Sequence, residues 1–322
     1  MPVPGIPTEI LVAPDSFKGT LSATEVAGAV GKGLTEAGRE VALCPLADGG
    51  EGTLDALAGA LGLELATAEV SDPLGRPITA QYGIGDGVAL VEVAAASGFS
   101  DRERDPVAAS SRGTGELISV AVAAGARTVY LAAGGSATTD GGAGALEVID
   151  EPPDKLIVLC DVRTEFQSAA EVFAPQKGAS PPQVEQLTER LEQLATGWPR
   201  DPRGVPMSGA AGGLAGGLWA ALGAELKAGA PFVLETLGFD QRMRAARAVV
   251  VGEGRLDRQT LAGKLAGEVA TRARQAGVPC YAVVGENALD GFDTRILDLQ
   301  MVLEASTPGE LQAAGVKLAE II

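Results

Sequence analysis

Histidine is absent from the 322-residue sequence, and its absence removes several classes of enzyme. Ser-His-Asp and Cys-His nucleophilic systems need an imidazole base, and many metal sites need an imidazole ligand. Any acid–base chemistry must therefore use Asp, Glu, Lys or Tyr side chains.

Aromatic residues and cysteines are also scarce. Aromatic residues make up only 4% of a chain that is 46% hydrophobic, so the core must consist mainly of Ala, Val and Leu. Cys44, Cys160 and Cys280 each lie at or beside an apolar run. An odd number of cysteines without paired spacing predicts buried free thiols and argues against a disulfide framework or a zinc site.

The sequence has no run of Lys and Arg, and its net charge is −17, so nucleic acid is not an expected partner. An anionic small substrate remains open, but local cations would have to bind it against an unfavourable overall field. We find no signal-peptide pattern and no stretch of 18 apolar residues. These absences predict a cytoplasmic protein that does not associate with a membrane.

Glycine is abundant, with 44 residues clustered in loops after apolar runs, which favours an α/β protein with many tight turns. A strand–helix rhythm occupies both ends of the chain. We therefore predict a doubly wound parallel-sheet domain from residues 1–65 plus 238–322, with a second α/β domain, residues 66–237, inserted into it.

Several local patterns are specific enough to test. Ser22 with Glu25 three residues later forms a predicted capping box at the start of a helix. The segments 78–83 and 88–93 predict a β-hairpin, because a turn-rich stretch separates them. Residues 218–226 are predicted to be helical.

The loop Gly134–Gly144 follows a predicted buried strand and has an almost bare backbone. Glycines allow a ligand to approach main-chain N–H groups closely, while Ser136 and Thr138 add hydroxyls and Asp140 adds a carboxylate. The combination suits a phosphate or a polyoxygenated metabolite, with or without Mg²⁺. The alternative interpretation is a flexible turn built from small polar residues.

Acidic and cationic side chains recur where other predicted strands end. Asp15, Ser16 and Lys18 follow the first strand, where open α/β sheets bind ligands; the alternative is a structural turn. Asp48 and Glu51 follow the second strand across Gly49 and Gly50. They could hold a metal, position a hydroxyl or accept its proton, or they could complement a helix dipole, which suits Glu51 better than Asp48.

Two common nucleotide-binding motifs are missing. The Gly263–Lys264 pair is followed by Leu265, and no other P-loop pattern exists, so a P-loop NTPase is excluded. The first strand also lacks a strict Gly-x-Gly-x-x-Gly pattern, which weakens a dinucleotide dehydrogenase. The strand ends nevertheless combine carboxylates, glycines, hydroxyls and cations, as phosphoryl transfer requires.

Six ordered motifs that span nearly the whole chain closely resemble those of the bacterial type I glycerate kinases. They are Ala13–Gly19, Pro45–Thr53, Ser110–Ile118, Gly134–Gly144, Pro175–Gly178 and Gly252–Asp257. The chain departs from the family pattern in two places: the segment between Leu146 and Lys155 is shorter, and Thr164–Ser168 replaces an Asn-Pro-Leu-type segment.

The resemblance implies ATP- and Mg²⁺-dependent phosphorylation of D-glycerate, giving 2-phosphoglycerate. It also implies a flavodoxin-like domain with a second α/β domain inserted, and a site in the cleft between them. The alternatives are a kinase that forms 3-phosphoglycerate or acts on a related small hydroxy acid, and a non-catalytic sugar-acid-binding protein. The resemblance leaves a homodimer open.

The resemblance and the strand-end pattern together nominate the site residues. Asp48 or Asp140 is the expected general base or hydroxyl-orienting residue, and Lys18 is the third catalytic candidate. Glu51 and Glu253 are the expected Mg²⁺ ligands. The cations expected to meet carboxylate and phosphate groups are Lys18, Lys177, Arg255 and Lys264. The other expected substrate-binding residues are Asp15, Ser16, Gly49, Gly50, Ser136 and Thr138.

Overall fold

The computed structural model describes residues 8–100, 104–261 and 264–322 of a mixed α/β protein. Gly263 therefore lies outside the described residues. The chain divides into two compact units: unit 1 comprises the described residues of Met1–Asp48 with Val233–Ile322, and unit 2 comprises those of Gly49–Phe232. This division puts residues 49–65 in unit 2, whereas the sequence-based boundary lies at 65/66. The boundaries of the folding domains stay a prediction.

Unit 1 contains a parallel sheet with the strand order β11-β10-β9-β1-β2. Parallel sheets of this kind are buried on both faces, and β1 is accordingly apolar and buried along its whole length. The strands are β1 (Ile10–Pro14), β2 (Val41–Leu43), β9 (Ala248–Leu256), β10 (Cys280–Asn287) and β11 (Leu299–Glu304).

Unit 2 contains a six-stranded sheet with the order β3-β4-β5-β6-β7-β8. The pairs β3/β4 and β4/β5 are antiparallel, so the predicted hairpin is confirmed, and β5 to β8 are parallel. The strands are β3 (Glu64–Ser71), β4 (Pro77–Gly85), β5 (Val88–Glu92), β6 (Thr128–Ala132), β7 (Lys155–Cys160) and β8 (Glu225–Ala228).

Some of the helices begin at caps that the sequence supplies. Ser22 and Glu25 form the predicted capping box of α1, and Ser180 forms another at α7. The helices are α1 (Ala23–Glu36), α2 (Thr53–Leu61), α3 (Val93–Ser97), α4 (Arg112–Ala123), α5 (Ala143–Leu146), α6 (Ala169–Phe173), α7 (Pro181–Gly197), α8 (Leu214–Leu222), α9 (Gly229–Thr236), α10 (Phe239–Ala245), α11 (Arg258–Leu261), α12 (Leu265–Ala276), α13 (Gly291–Ile296) and α14 (Pro308–Ala319).

The predicted helix at 218–226 is wrong in its second half. Gly223 takes φ +78 and ends α8, and the next residues form the strand β8. Gly223 ends the helix because glycine adopts the left-handed conformation without the steric cost of a side chain.

The buried core consists mainly of Ala, Val and Leu side chains, as the composition predicts. Cys44, Cys160 and Cys280 are buried free thiols, which confirms the prediction for the cysteines. Within the described ranges, no helix has both the length and the apolar character that crossing a membrane requires.

Candidate active site

A cavity of about 480 Å³ lies in unit 1 around the carboxyl ends of its parallel strands. Ligands of open α/β sheets bind at this edge, because the loops there converge while the strands behind them stay rigid. The lining residues are Asp15, Ser16, Phe17, Lys18, Thr20, Asp48, Glu253, Gly254, Arg255, Lys264, Gly285, Glu286 and Ser306. Seven of the predicted site residues therefore share one cavity.

Asp15 follows β1 directly and is only 8% exposed. Its Oδ1 accepts a hydrogen bond from the backbone N–H of Ser16 at 2.7 Å. Burial, together with the negative charges of Asp48 and Glu253, raises the pKa of Asp15 to about 7, although the charge of Lys18 opposes the rise. Asp15 is therefore a carboxyl group that exchanges a proton near neutral pH.

Lys18 forms an ion pair with Asp48, with 3.0 Å between Nζ and Oδ2. The lysine side chain is 63% exposed and the aspartate side chain 15% exposed. This pair brings an exposed cation and a more shielded carboxylate to the same part of the cavity. Such a pair supplies two of the groups that phosphoryl transfer uses, a charge for phosphate oxygens and a proton acceptor.

Glu253 lies on β9 and is 7% exposed. Its Oε1 accepts a hydrogen bond from the hydroxyl of Thr260 at 2.7 Å. Burial raises the pKa of Glu253 to about 7, and the nearby positive charge of Lys264 opposes that rise. Glu253 is thus held rigidly, with one oxygen committed to Thr260.

The other two predicted cations of unit 1 have acidic neighbours. Arg255 donates a hydrogen bond to Glu286 at 3.1 Å, and Nζ of Lys264 lies 3.8 Å from Oδ1 of Asp257. Both cations are more than one-third exposed, so these pairs hold the side chains loosely. An anionic ligand in the cavity could compete for both cations.

In unit 2, Asp140 organises the glycine-rich loop 134–144. Its Oδ2 accepts hydrogen bonds from the backbone N–H and hydroxyl of Ser111, both at 2.8 Å, and from the N–H of Gly144 at 3.2 Å. Its Oδ1 accepts from the N–H of Gly142 at 3.1 Å. Because both oxygens are engaged and the residue is 5% exposed, Asp140 ties the loop to the start of α4.

Lys177 supports the same loop from the other side. The side chain is 5% exposed and donates hydrogen bonds to the hydroxyl of Ser136, at 3.0 Å, and to the carbonyl of Thr138. Burial lowers the pKa of Lys177 to about 8, although the charges of Asp140 and Asp161 oppose the change. The buried Thr138 hydroxyl has no hydrogen-bond partner among the described residues, so Thr138 contributes only its carbonyl to this bonding.

The predicted residues Gly49 and Gly50 pack directly against the glycine-rich loop. The carbonyl of Gly49 accepts a hydrogen bond from the N–H of Gly134 at 3.3 Å. A Cβ atom on Gly134 would lie 2.6 Å from Cα of Gly50, and one on Gly49 would lie 2.8 Å from Cα of Gly229. Only glycines allow these main chains to approach so closely. Glu51, the next residue, is exposed.

The sequence reasoning missed Glu92, the last residue of β5. Its Oε1 accepts a hydrogen bond from the N–H of Leu54 at 2.8 Å, although 38 residues separate the two in sequence. Burial raises the pKa of Glu92 to about 7, while N–H groups of Leu54 and Gly52 oppose the rise. Only the position of Glu92 at a strand end could have signalled it.

The predicted site residues thus form two groups, one in each unit. The two expected Mg²⁺ ligands fall in different groups, since Glu51 belongs to unit 2 and Glu253 to unit 1. Within the described parts of the chain, no three His, Cys, Asp or Glu side chains form a cluster that could hold a metal ion. Mg²⁺ often uses only one or two carboxylates together with substrate phosphates, and the buried carboxylate of Glu253 fits such a site.

Comparison with known proteins gives consistent matches along most of the chain. The model of the glycerate kinase family matches residues 10–150 and 153–313. Glycerate 2-kinase of Escherichia coli (strain K12) is 36% identical over 323 residues, covering 86% of this chain and 85% of that protein. Glycerate kinase of Bacillus subtilis (strain 168) is 36% identical over 331 residues, covering 88% and 86%.

A solved structure extends the match to the fold. It is a crystal structure from Salmonella typhimurium LT2 whose assignment as glycerate kinase 2 is provisional. The TM-score is 0.80 at 31% sequence identity, and the superposition covers 98% of both chains.

Proposed function

The chain belongs to the glycerate kinase family, and from this premise we propose that it transfers the γ-phosphoryl group of ATP to D-glycerate. The acceptor is the 2-hydroxyl, so the product is 2-phosphoglycerate. The observation that carries this proposal is the unit 1 cavity, where Lys18, Arg255 and Lys264 accompany the carboxylates of Asp15 and Asp48. Phosphoryl transfer needs cations for the spread negative charge and a carboxylate for the acceptor proton.

We assign the general base or hydroxyl-orienting role to Asp48 in preference to Asp140. Asp48 lines the cavity and pairs with Lys18 at 3.0 Å. The oxygens of Asp140 instead accept hydrogen bonds from Ser111, Gly142 and Gly144. A base must reach the substrate hydroxyl, and the surroundings of Asp48 favour that role.

Mg²⁺ would enter with ATP and neutralise phosphate charge in the transition state. Glu253 is the better-supported of the two nominated ligands, because it lines the cavity and Thr260 fixes its orientation. Glu51 stays a candidate from unit 2. Among the cations, Lys18, Arg255 and Lys264 would receive carboxylate or phosphate oxygens, and Lys177 would hold the glycine-rich loop in shape for the substrate.

We also propose the finer architecture that the sequence suggests, a flavodoxin-like domain of residues 1–65 plus 238–322 with the α/β domain 66–237 inserted. The strand order of the parallel sheet in unit 1 supports the flavodoxin-like domain. A cytoplasmic location and a homodimer complete the proposal. Size-exclusion chromatography with light scattering would test the dimer.

An ATP-consumption assay with D-glycerate, followed by ³¹P NMR of the product, tests the function. We expect turnover and a 2-phosphate resonance. A 3-phosphate would favour the alternative product. If D-glycerate raised the melting temperature of the protein but no ATP were consumed, the protein would be a non-catalytic binding protein.

A matched pair of lysine variants tests the cavity. Lys18→Met should lower turnover by ~10²–10³-fold if Lys18 stabilises transferring phosphate. Lys32→Met is the control, because its side chain is equally exposed at 63% but pairs with Glu36 on the surface of α1. Equal turnover in the two variants would contradict the role of Lys18.

A further inference from the structure

The segment Gly49–Thr53 of unit 2 is fixed near its beginning by other main-chain groups. The carbonyl of Gly49 accepts the N–H of Gly134, and the carbonyl of Gly50 accepts both the N–H of Thr53, at 3.2 Å, and its hydroxyl, at 2.6 Å. The first bond joins the start of the segment to the glycine-rich loop, and the two bonds from Thr53 fold the segment back on itself.

The end of the segment is also the start of α2, and it has no local cap. The N-cap residue of α2 is Gly52 at φ +90, and it has no side chain to accept the first N–H groups of the helix. N–H groups without an acceptor at the buried start of a helix destabilise the fold. A carboxylate can accept their hydrogen bonds, and its negative charge also complements the helix dipole.

Glu92 supplies that carboxylate from the end of β5. Its Oε1 accepts the N–H of Leu54 at 2.8 Å, and the nearby N–H of Gly52 acts to lower the pKa of the carboxyl group. Because β5 lies between β4 and β6 inside the sheet of unit 2, the carboxylate rests on a rigid support.

We propose that Glu92 is a positioning residue that fixes the segment Gly49–Thr53, and with it the exposed Glu51, against the glycine-rich loop 134–144. The catalytic part of this inference rests on the proposed kinase function. The structural part, that Glu92 orders the segment, does not.

Amide hydrogen exchange tests the structural part without any substrate. In Glu92→Ala, exchange at Gly52 and Leu54 should accelerate ~10-fold or more, because the N–H of Leu54 loses its acceptor and the start of α2 is held less tightly. Glu92→Gln keeps one carbonyl acceptor and should show a smaller change.

The matched control is Glu116→Gln. Glu116 also accepts a hydrogen bond from the backbone N–H of a residue distant in sequence, Ser71, at 2.7 Å. Ser71 is the last residue of β3, so this bond lies away from the segment Gly49–Thr53. Like Glu92→Gln, Glu116→Gln keeps one carbonyl acceptor, so it should accelerate exchange at Ser71 modestly and leave exchange at Gly52 and Leu54 unchanged. Unchanged exchange at Gly52 and Leu54 in Glu92→Ala would overturn the proposal, and if that variant does not fold, Glu92→Gln is the variant measured.

Kinetics test the catalytic part. We expect Glu92→Ala to lower kcat ~10-fold with a smaller change in KM, Glu92→Gln to recover part of the loss, and Glu116→Gln to keep wild-type kcat. Glu92→Ala should also lower kcat by a smaller factor in the Glu51→Gln variant than in the wild-type protein, since both changes act through one segment. Faster exchange with wild-type kcat and KM would refute the positioning role, whereas a wild-type protein without turnover would refute the proposed function and leave the exchange result valid.

Discussion

The buried carboxyl group of Asp15 should make the stability of the protein depend on pH. Burial raises its pKa from 3.8 to about 7, with further contributions from Asp48 and Glu253 and an opposing one from Lys18. A group whose pKa is higher in the folded state binds more protons there. Its stabilising contribution is therefore fully present below pH 3.8 and is lost as the pH rises through about 7.

The magnitude follows from the two pKa values. One pKa unit corresponds to ~1.4 kcal/mol, so ionising Asp15 in the folded protein costs about 4 kcal/mol in total at high pH. At pH 5 only about 1.5 kcal/mol of this cost is present, because the folded-state group is still protonated. Asp15→Asn cannot ionise, so its stability relative to wild type should improve by about 2–3 kcal/mol between pH 5 and pH 8.

Urea unfolding at pH 5 and pH 8 measures this difference. Asp72→Asn is the control, because Asp72 is also buried, at 4% exposure, but its pKa is shifted in the opposite direction. Burial acts to raise the pKa of Asp72, and hydrogen bonds from Arg76 and Leu74 outweigh it, so the pKa lies below its ordinary value. The effect of Asp72→Asn should therefore be constant between pH 5 and pH 8, and an equally constant effect of Asp15→Asn would refute the reasoning.

Three further tests, one of them with a control variant, address packing, buried hydrogen bonds and capping, each by denaturant unfolding. Gly33→Ala should lower the free energy of unfolding by at least ~2 kcal/mol, since its Cβ would lie 2.0 Å from the carbonyl oxygen of Gln312; Gly28→Ala on the same helix meets no atom within 4 Å and should stabilise by ~0.5–1 kcal/mol. Lys177→Met should cost about 1–3 kcal/mol, because the Ser136 hydroxyl and Thr138 carbonyl lose their donor. Ser22→Ala should cost ~1 kcal/mol by removing the cap of α1, and no loss would mean that Glu25 alone suffices.

Local chemistry in the sequence predicted much of the fold. The capping box of α1, the hairpin and the parallel strands depend on residues a few positions apart, so their patterns are visible in one dimension. The strand β3 was missed because it is mostly exposed and has no buried run to mark it. The strand β8 was taken for the end of a helix because its four residues are too few to show a period.

The site was predicted at the level of residue types at strand ends, since parallel strands gather their carboxyl ends at one edge. The pairing of the loops could not be predicted in the same way. The contact between Gly49 and Gly134 joins residues 85 positions apart, and the bond between Leu54 and Glu92 joins residues 38 apart. Such contacts depend on the order of strands in the sheet, which no local pattern specifies.

Asp48 and Asp140 show most directly how identical local sequences acquire different roles. Each aspartate is followed by two glycines, so the sequence nominates both as the base. Their surroundings predict separable defects: Asp48→Asn should lose ~10²–10³-fold in turnover at nearly unchanged stability, because Asp48 lines a cavity beside Lys18.

Asp140→Asn should instead lose about 2–4 kcal/mol of unfolding free energy, because in either orientation of the amide its N–H₂ group would face a donor, that of Gly142 on one side or those of Ser111 and Gly144 on the other. Steady-state kinetics and urea unfolding of the two variants, measured side by side, separate the effects. If Asp140→Asn were as stable as wild type but inactive, while Asp48→Asn kept its turnover, the base would be Asp140. If both variants kept near-normal turnover, neither aspartate would be the base, and Asp15, with a pKa of about 7 in the same cavity, would be the next carboxyl group to test.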